Sequence, residues 1–333
     1  MSSARKPKVL FTGASGAATV DVLRSLVATD EYELIGCDAS YASVGFTLVA
    51  RSYVIPLGAS PEFEPTFADI LDRERPDFVV PGVDEEIPVV HALVERSHPE
   101  TRVLTPTPEF CRDMLDKWRM FERMHAAGLS VARTWLASDA ADATYPAIIK
   151  PRVGRGSRGL AFLEGPADLR AYLDAAGAPP DRFIVQERLF GREFTNSAVV
   201  ALGGPLLAVV PKEATAKKGI TQIGVTRTEP AIDLLCRQIQ ERLRADGPFN
   251  VQLVLGEDGV PRVFEINPRY STTTALTLAS GVNEVDAVLR HALGKDPGPL
   301  TFEPDLMMIR YLSQIFVKES SFAPIDARRW RTR

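Results

Sequence analysis

Four residues in the C-terminal half have types and spacing suited to holding a hard cation beside a phosphate. Phe249-Asn250-Val251-Gln252 is followed by Phe264-Glu265-Ile266-Asn267-Pro268-Arg269, with Glu265 thirteen residues after Gln252. Glu265 and Asn267 are two apart in an apolar run, so strand alternation puts them on one face. The turn Gly256-Glu257-Asp258-Gly259 then folds Gln252 alongside them. One carboxylate and two amides suit Mg²⁺, which takes few protein ligands and keeps phosphate oxygens and waters. Arg269, just beyond Pro268, is suited to stabilising charge that grows on a transferred phosphoryl group. The plainer alternative is a surface hairpin with one polar face, which leaves the clustering beside Val263, Phe264 and Ile266 unexplained.

Two further segments point to the same chemistry. Tyr145-Pro146-Ala147-Ile148-Ile149-Lys150 delivers a lysine to the end of an apolar strand, and Arg152-Val153-Gly154-Arg155-Gly156-Ser157-Arg158-Gly159 follows. Gly154, Gly156, Ser157 and Gly159 leave backbone N–H groups free to face an anion, with Lys150 as a point charge on phosphate. A solvated hairpin loop accounts for the same letters. Phe183-Ile184-Val185-Gln186-Glu187-Arg188-Leu189 runs on to Glu193, so a strand ends where a linker clasps a base and a ribose. Backbone groups of Glu187 and Leu189 would read adenine and Glu193 the ribose, against the alternative that Glu193 is an exposed strand residue.

Thr12-Gly13-Ala14-Ser15-Gly16-Ala17-Ala18, with Asp38 about twenty residues on, has the layout of a dinucleotide site. The third glycine is absent and no tyrosine–lysine pair follows, so a turn that packs strand on helix is the preferred reading. A nicotinamide oxidoreductase is kept as the weaker alternative.

The elements that must position these residues are legible as patterns. From Lys8 to about Thr105, apolar runs at Val9–Phe11, Leu34–Gly36, Tyr53–Ile55, Phe78–Val80 and Val103–Leu104 alternate with helical periodicity over Ala17–Ala28, Phe67–Arg73 and Glu85–Glu95. That is an open parallel α/β domain. Pro106 and Pro108 punctuate the chain before a helix expected over Glu109–Ala127. Short strands follow at Ala147–Ile149, Leu160–Leu163, Phe183–Val185, Ser197–Leu202 and Leu206–Val210, the last two joined by Gly203-Gly204-Pro205. Helices are expected over Thr273–Ala279 and Asn283–Leu293, and the basic stretch Arg328–Arg333 is expected to fray.

Composition narrows the class. The 333 residues carry 39 lysines plus arginines against 43 acids, a net charge of −4, which is no footprint for nucleic acid. Cys37, Cys111 and Cys236 form no metal or disulfide spacing, the four histidines form no zinc motif, and no stretch approaches a membrane span. A cytoplasmic enzyme working on small molecules is the expectation, with a homodimer as the commonest arrangement.

Together these residues resemble the ATP-grasp superfamily of carboxylate–amine ligases, and within it the nucleotide module of the carbamoyl phosphate synthetase large subunit. The resemblance runs through Asp116-Lys117, the Lys150 loop, Gln186-Glu187-Arg188-Leu189, and Glu265 to Arg269 with Ser271-Thr272-Thr273-Thr274. It implies a Rossmann-like leading domain over 1–107 with no dinucleotide cofactor, and an ATP-grasp domain over 108–320. The latter divides into a lid at about 130–188 and an antiparallel-sheet subdomain at about 189–320, before a tail at 321–333. It further implies ATP with Mg²⁺ (or Mn²⁺): Lys117 and Lys150 on nucleotide or phosphates, the loop 154–159 as lid, and Gln252, Glu265 and Asn267 on metal. Arg269 would be the transition-state arginine, with Ser271 and Thr272 bordering the substrate. The reaction implied is amide formation from a carboxylate and an amine through an acyl phosphate, the alternative being an ATP-binding regulator. Asp84, Glu85 and Glu86 sit where leading-domain loops face a second substrate, or simply begin a helix. The carboxyphosphate histidine of carbamoyl phosphate synthetase has no counterpart here.

Overall fold

Strands buried on both faces read as unbroken apolar runs, and β1 (Lys8–Phe11) is of this kind, with Val9, Leu10 and Phe11 wholly buried. The computed structural model describes residues 5–330. β1 lies in a parallel sheet with β2 (Glu33–Asp38), β3 (Arg51–Val54), β4 (Phe78–Val80) and β5 (Arg102–Val103). Helices α1 (Thr19–Thr29), α2 (Phe63–Glu74) and α3 (Ile87–Ser97) connect them. The strand order β3-β2-β1-β4-β5 reverses direction between β1 and β4, so the turns after these two strands diverge and leave a crevice at the sheet's carboxyl edge.

The single helix expected over Glu109–Ala127 is two: α4 (Pro108–Leu115) and α5 (Lys117–Ala126). Asp116 stands between them in an extended conformation, and its carboxylate accepts from the N–H groups of Trp118 and Arg119, as an N-cap does. The break also serves the loop near Lys150. Arg152 pairs with Asp116 at 2.6 and 3.2 Å, and the N–H of Lys117 donates to the Arg152 carbonyl at 3.0 Å.

A small antiparallel sheet follows, from β6 (Thr134–Leu136), β7 (Ala147–Pro151), β8 (Ala161–Leu163) and β9 (Phe183–Glu187), with α6 (Pro166–Ala176) on it. The chain then builds a six-stranded sheet from β10 (Arg192–Val200), β11 (Leu206–Lys218), β12 (Ile220–Thr226), β13 (Phe249–Leu255), β14 (Pro261–Asn267) and β15 (Met307–Ile309), in the order β14-β13-β10-β11-β12-β15. Helices α7 (Pro230–Leu243), α8 (Thr274–Ala279) and α9 (Glu284–Ala292) complete it.

One face of this sheet packs on α4, α5 and α7 through Phe194, Phe249, Leu253, Ile232 and Ile239. On the other face, Val199, Ala208 and Val210 share a core with Val9 and Phe11 of the leading sheet, Leu23 of α1, and Val285 and Leu289 of α9. The two large sheets thus bury apolar surface against one another.

The end of the chain corrects an expectation. Residues 325–330 do not fray: β16 (Ile325–Asp326) adds to β3 in parallel, Ala327 is buried, and Arg328 and Arg329 pair with Asp326. Trp330 lies edge-on to Tyr53 with the Arg73 guanidinium over its ring. The aromatic anchor outweighs the basic composition here. Arg331 to Arg333 of the expected tail lie outside the described residues. Among the described residues no helix is long and apolar enough to cross a membrane, and the three cysteines are free and buried.

Candidate active site

Strand register assembles the polar residues in rows. Thr195 of β10 pairs with Gln252 of β13, which pairs with Glu265 of β14; one step along, Ser197, Asn250 and Asn267 form the next row. Gln252, Glu265 and Asn267 therefore share the face that looks toward the small sheet. Between the two sheets lies a cavity of about 250 Å³, bordered by Lys117, Lys150, the loop 154–158, Gln186–Leu189, Glu193, Gln252 and Glu265.

Lys150 enters from β7. Its ammonium is buried, with the carbonyl of Phe264 at 3.3 Å as hydrogen-bond acceptor. Burial pulls its pKa down to about 8, against the opposing pull of Glu265, with Lys117 and Lys217 adding to the depression. Lys117, the first residue of α5, donates to the Gly154 carbonyl at 2.7 Å and stands 3.8 Å from the Glu265 carboxylate. Two buried cations and one carboxylate thus converge from three elements on the edge of one cavity.

The cavity wall formed by β9 carries an unmet polar atom. Gln186 donates its amide N–H to Thr134 at 3.0 Å, while its Oε1 is buried without a partner. A buried acceptor left open costs about 1–3 kcal/mol, and an exocyclic amine of a purine is a group that would satisfy it. The Glu187 N–H donates to the Arg133 carbonyl and its carboxylate accepts from the N–H and Nε of Arg133. Neither group is available to a base. Arg188 stacks over Phe162 and Phe190 at the mouth, Leu189 lines the wall, and Glu193 is paired with Lys217.

The loop after β7 has the backbone that its glycines require. Gly154, Gly156, Ser157 and Gly159 all have positive φ, and a side chain on Gly154 or Gly156 would meet nothing within 4 Å. Arg155 reaches across to Glu85 of the leading domain at 2.9 Å.

Arg269 lies just beyond the row of Asn267. Its buried guanidinium is bidentate on Asp84, at 2.6 and 3.1 Å, and donates to the Tyr270 carbonyl at 3.0 Å. Burial works against its charge and Asp84 more than offsets that, raising the pKa above the usual arginine value. Arg269, Asn267, Ser271 and Thr272 border a second, smaller cavity of about 100 Å³, together with Arg155, Lys217 and Thr221.

Residues 180–314 match a sequence family described as ATP-grasp in the biosynthetic pathway with Ter operon. The carbamoyl phosphate synthase large chain of Rubrobacter xylanophilus is 26% identical over 290 residues, 80% of this chain and 27% of that one. The formate-dependent phosphoribosylglycinamide formyltransferase of Janthinobacterium sp. is 27% identical over 304 residues, 84% and 72% of the two chains. The chain thus spans about a quarter of the length of the carbamoyl phosphate synthase. In structure it resembles the biotin carboxylase domain of the Hydrogenobacter thermophilus 2-oxoglutarate carboxylase, solved with MgADP, ADP and bicarbonate. The TM-score is 0.71 at 15% identity, covering 90% of this chain and 73% of that one. Residues 180–314 thus carry an ATP-grasp family match, and the chain as a whole shares the fold of the biotin carboxylase domain.

Within the ATP-grasp fold three site features escape sequence reasoning. The pairing of Asp84 with Arg269 is one, because the two are 185 residues apart. Lys212 is another: wholly buried on the row of Thr195, it donates to Ser197 and Thr277 at 2.6 Å each, and Ser197 in turn donates to Glu284. Burial brings this lysine also to about 8. The third, α7, had a readable signal in Ile232, Leu235, Cys236, Ile239 and Leu243. The thiols are no nucleophiles, since burial pushes Cys111 and Cys236 up to about 12.

Proposed function

We propose that this chain is an ATP-grasp enzyme, an ADP-forming carboxylate–amine ligase. The reading takes residues 1–107 as the leading unit and 108–320 as the nucleotide-binding one, with a lid at about 130–188. The observation that carries it is the convergence of Lys117, Lys150, Gln252 and Glu265, from four separate elements, around one cavity whose far wall holds the open amide oxygen of Gln186. Adenine would sit against Gln186 and Leu189, ribose at Glu193, and phosphates at Lys117, Lys150 and the N–H groups of Gly154, Gly156, Ser157 and Gly159.

The donor set of Gln252, Glu265 and Asn267 fits a hard divalent cation that keeps most of its ligands from the nucleotide. Oxygen is the only ligating atom type, one carboxylate is present, and no group of three or more His, Cys, Asp or Glu residues suited to a metal occurs among the described residues. When bound, Mg²⁺ or Mn²⁺ would neutralise charge on the β- and γ-phosphates.

The chemistry asks the protein for position and charge. A carboxylate oxygen of the first substrate attacks the γ-phosphorus, the bond to the β–γ bridging oxygen breaks, and ADP leaves. The amine nitrogen of the second substrate then attacks the acyl carbon, the carbon–oxygen bond to phosphate breaks, and the amine proton passes to solvent. Lys150 and Lys117 hold the γ-phosphoryl oxygens, and Arg269, aligned by Asp84, meets the charge that spreads over them. Ser271 and Thr272 with Lys217 border the carboxylate. Closure of the 154–159 loop keeps water from the acyl phosphate.

The test is ADP and phosphate release from Mg·ATP by the purified protein with pooled amino acids and simple carboxylates, followed by mass spectrometry. Release that depends on the pool, with a new mass equal to two components minus water, is the expected result. Failure to bind ATP sinks the reading.

A further inference from the structure

The outer edge of the six-stranded sheet carries a concentration of exposed apolar side chains. β15 is hydrogen-bonded on one side only, to β12. The Leu306 carbonyl and the Arg310 N–H bond to that neighbour, and the two-residue period of an antiparallel ladder leaves the backbone groups of Met307 and Ile309 directed outward.

Exposed edges are ordinarily protected by lysine, proline or a bulge. Between Leu306 and Val317 the single charged residue is Arg310, and its guanidinium turns inward onto the carbonyls of Ala17, Thr221 and Thr272. The outer surface is thus uncharged over twelve residues. Tyr311, Leu312 and Phe316 are 83, 94 and 93% exposed, and Met307, Ile309 and Val317 more than half.

We propose that β15 and the strap 310–317 form the contact of a two-fold homodimer, with β15 of one protomer antiparallel to β15 of its partner. An unpaired edge is self-complementary under a two-fold axis, because each strand offers the other the same outward N–H and C=O groups. Six large apolar side chains at roughly 100–200 Å² each come to something on the order of 800 Å² per protomer, the area a standard interface takes. A charge-selected partner would find no charge on this surface. The edge stands at the opposite end of the strand order from β13 and β14, so pairing leaves the cavity over Gln252 and Glu265 uncovered.

The experiment is sedimentation equilibrium of the full chain at micromolar concentration. The expected mass is twice 36.5 kDa. The double variant Leu312→Glu with Phe316→Glu changes residues that are more than nine-tenths exposed, and should keep the wild-type circular dichroism and melting temperature. It should raise the dimer dissociation constant roughly a hundredfold or more. Met307→Pro removes one outward N–H without touching the ladder to β12 and should weaken the dimer as well. A wild-type chain that is monomeric at tens of micromolar, or a dimer that persists in both variants, overturns the proposal.

Discussion

Two glycine-bearing turns in this molecule look alike as sequence and do opposite things. Thr12–Ala18 follows β1 and Arg152–Gly159 follows β7. The first is filled by its own chain: Gly45 approaches so closely that a side chain on it would lie 2.1 Å from the Ala14 carbonyl oxygen. Asp38, the residue that would have met a ribose, accepts instead from the N–H and hydroxyl of Ser15 and the N–H of Ser40. The second turn has open space around Gly154 and Gly156 and faces a cavity flanked by two buried lysines. Glycine serves close packing in one and backbone freedom in the other, and the decisive sign is whether the space beside the turn is filled or open.

The comparison is tested most severely through the proposed metal-ligand face opposite the second turn. Glu265→Ala should lower Mg-dependent ATP turnover at least roughly 10³-fold while melting temperature stays near wild type; near-normal turnover would remove that face from the chemistry. Arg269→Ala should cost roughly 2.7–4 kcal/mol of transition-state stabilisation, read from kcat, and a loss under tenfold would reduce the arginine to a packing role with Asp84.

The turns themselves can be set against each other. Gly45→Ala should cost about 1–3 kcal/mol in denaturant unfolding and leave the KM for ATP unchanged. Gly156→Ala should do the reverse, with stability nearly intact and nucleotide affinity down about fivefold to tenfold from the strain of a positive φ. If the two variants behave alike, the distinction fails.

A smaller effect concerns pH. Lys150, with its pKa lowered to about 8 by burial, must be an ammonium to hold phosphate, so nucleotide affinity should weaken as pH rises through about 8, a few-fold per unit. Lys150→Arg should hold affinity level across that range. The sign for folding is opposite: the unfolded lysine stays charged to its ordinary pKa of about 10.4, so the burial penalty is present below about 8 and is relieved between those two values. The smallest effect is none at all. NADH fluorescence should not change on adding protein, and saturable binding at the first turn would contradict its packing role.

Much of the fold is written in the chain at the level of strands and helices. The parallel sheet is legible because its strands are apolar on both faces, and the β13–β14 hairpin because Gly256–Gly259 marks its turn. β11 is not, beyond Val210: Lys212, Glu213, Thr215, Lys217 and Lys218 are polar, and Lys217 lines the cavity, so the apolar alternation that signals a strand stops halfway along it. The order β14-β13-β10-β11 lies outside local pattern altogether, since pairing β13 with β10 joins residues 55 positions apart. At the site, residue types identify Glu265, Asn267 and Lys150. Partners such as Asp84 for Arg269, or Arg133 for Glu187, are set by tertiary approach and leave no local mark.

The segment from Met307 to Asp326 gives the antiparallel sheet its last strand and then the parallel sheet its last strand. Added to the core that Phe11 and Val210 share, this lacing makes one stiff jaw of two sheets that are far apart in sequence. The small sheet is the other jaw, joined to the first through the chain near Gly128 and Gly191, both at positive φ, and latched by Arg155 to Glu85. On the proposed reading, substrate would enter as one hinged plate swings against a fixed anvil. A spectroscopic ruler between the two large sheets should read a constant distance through the catalytic cycle, while one from either of them to Phe162 changes.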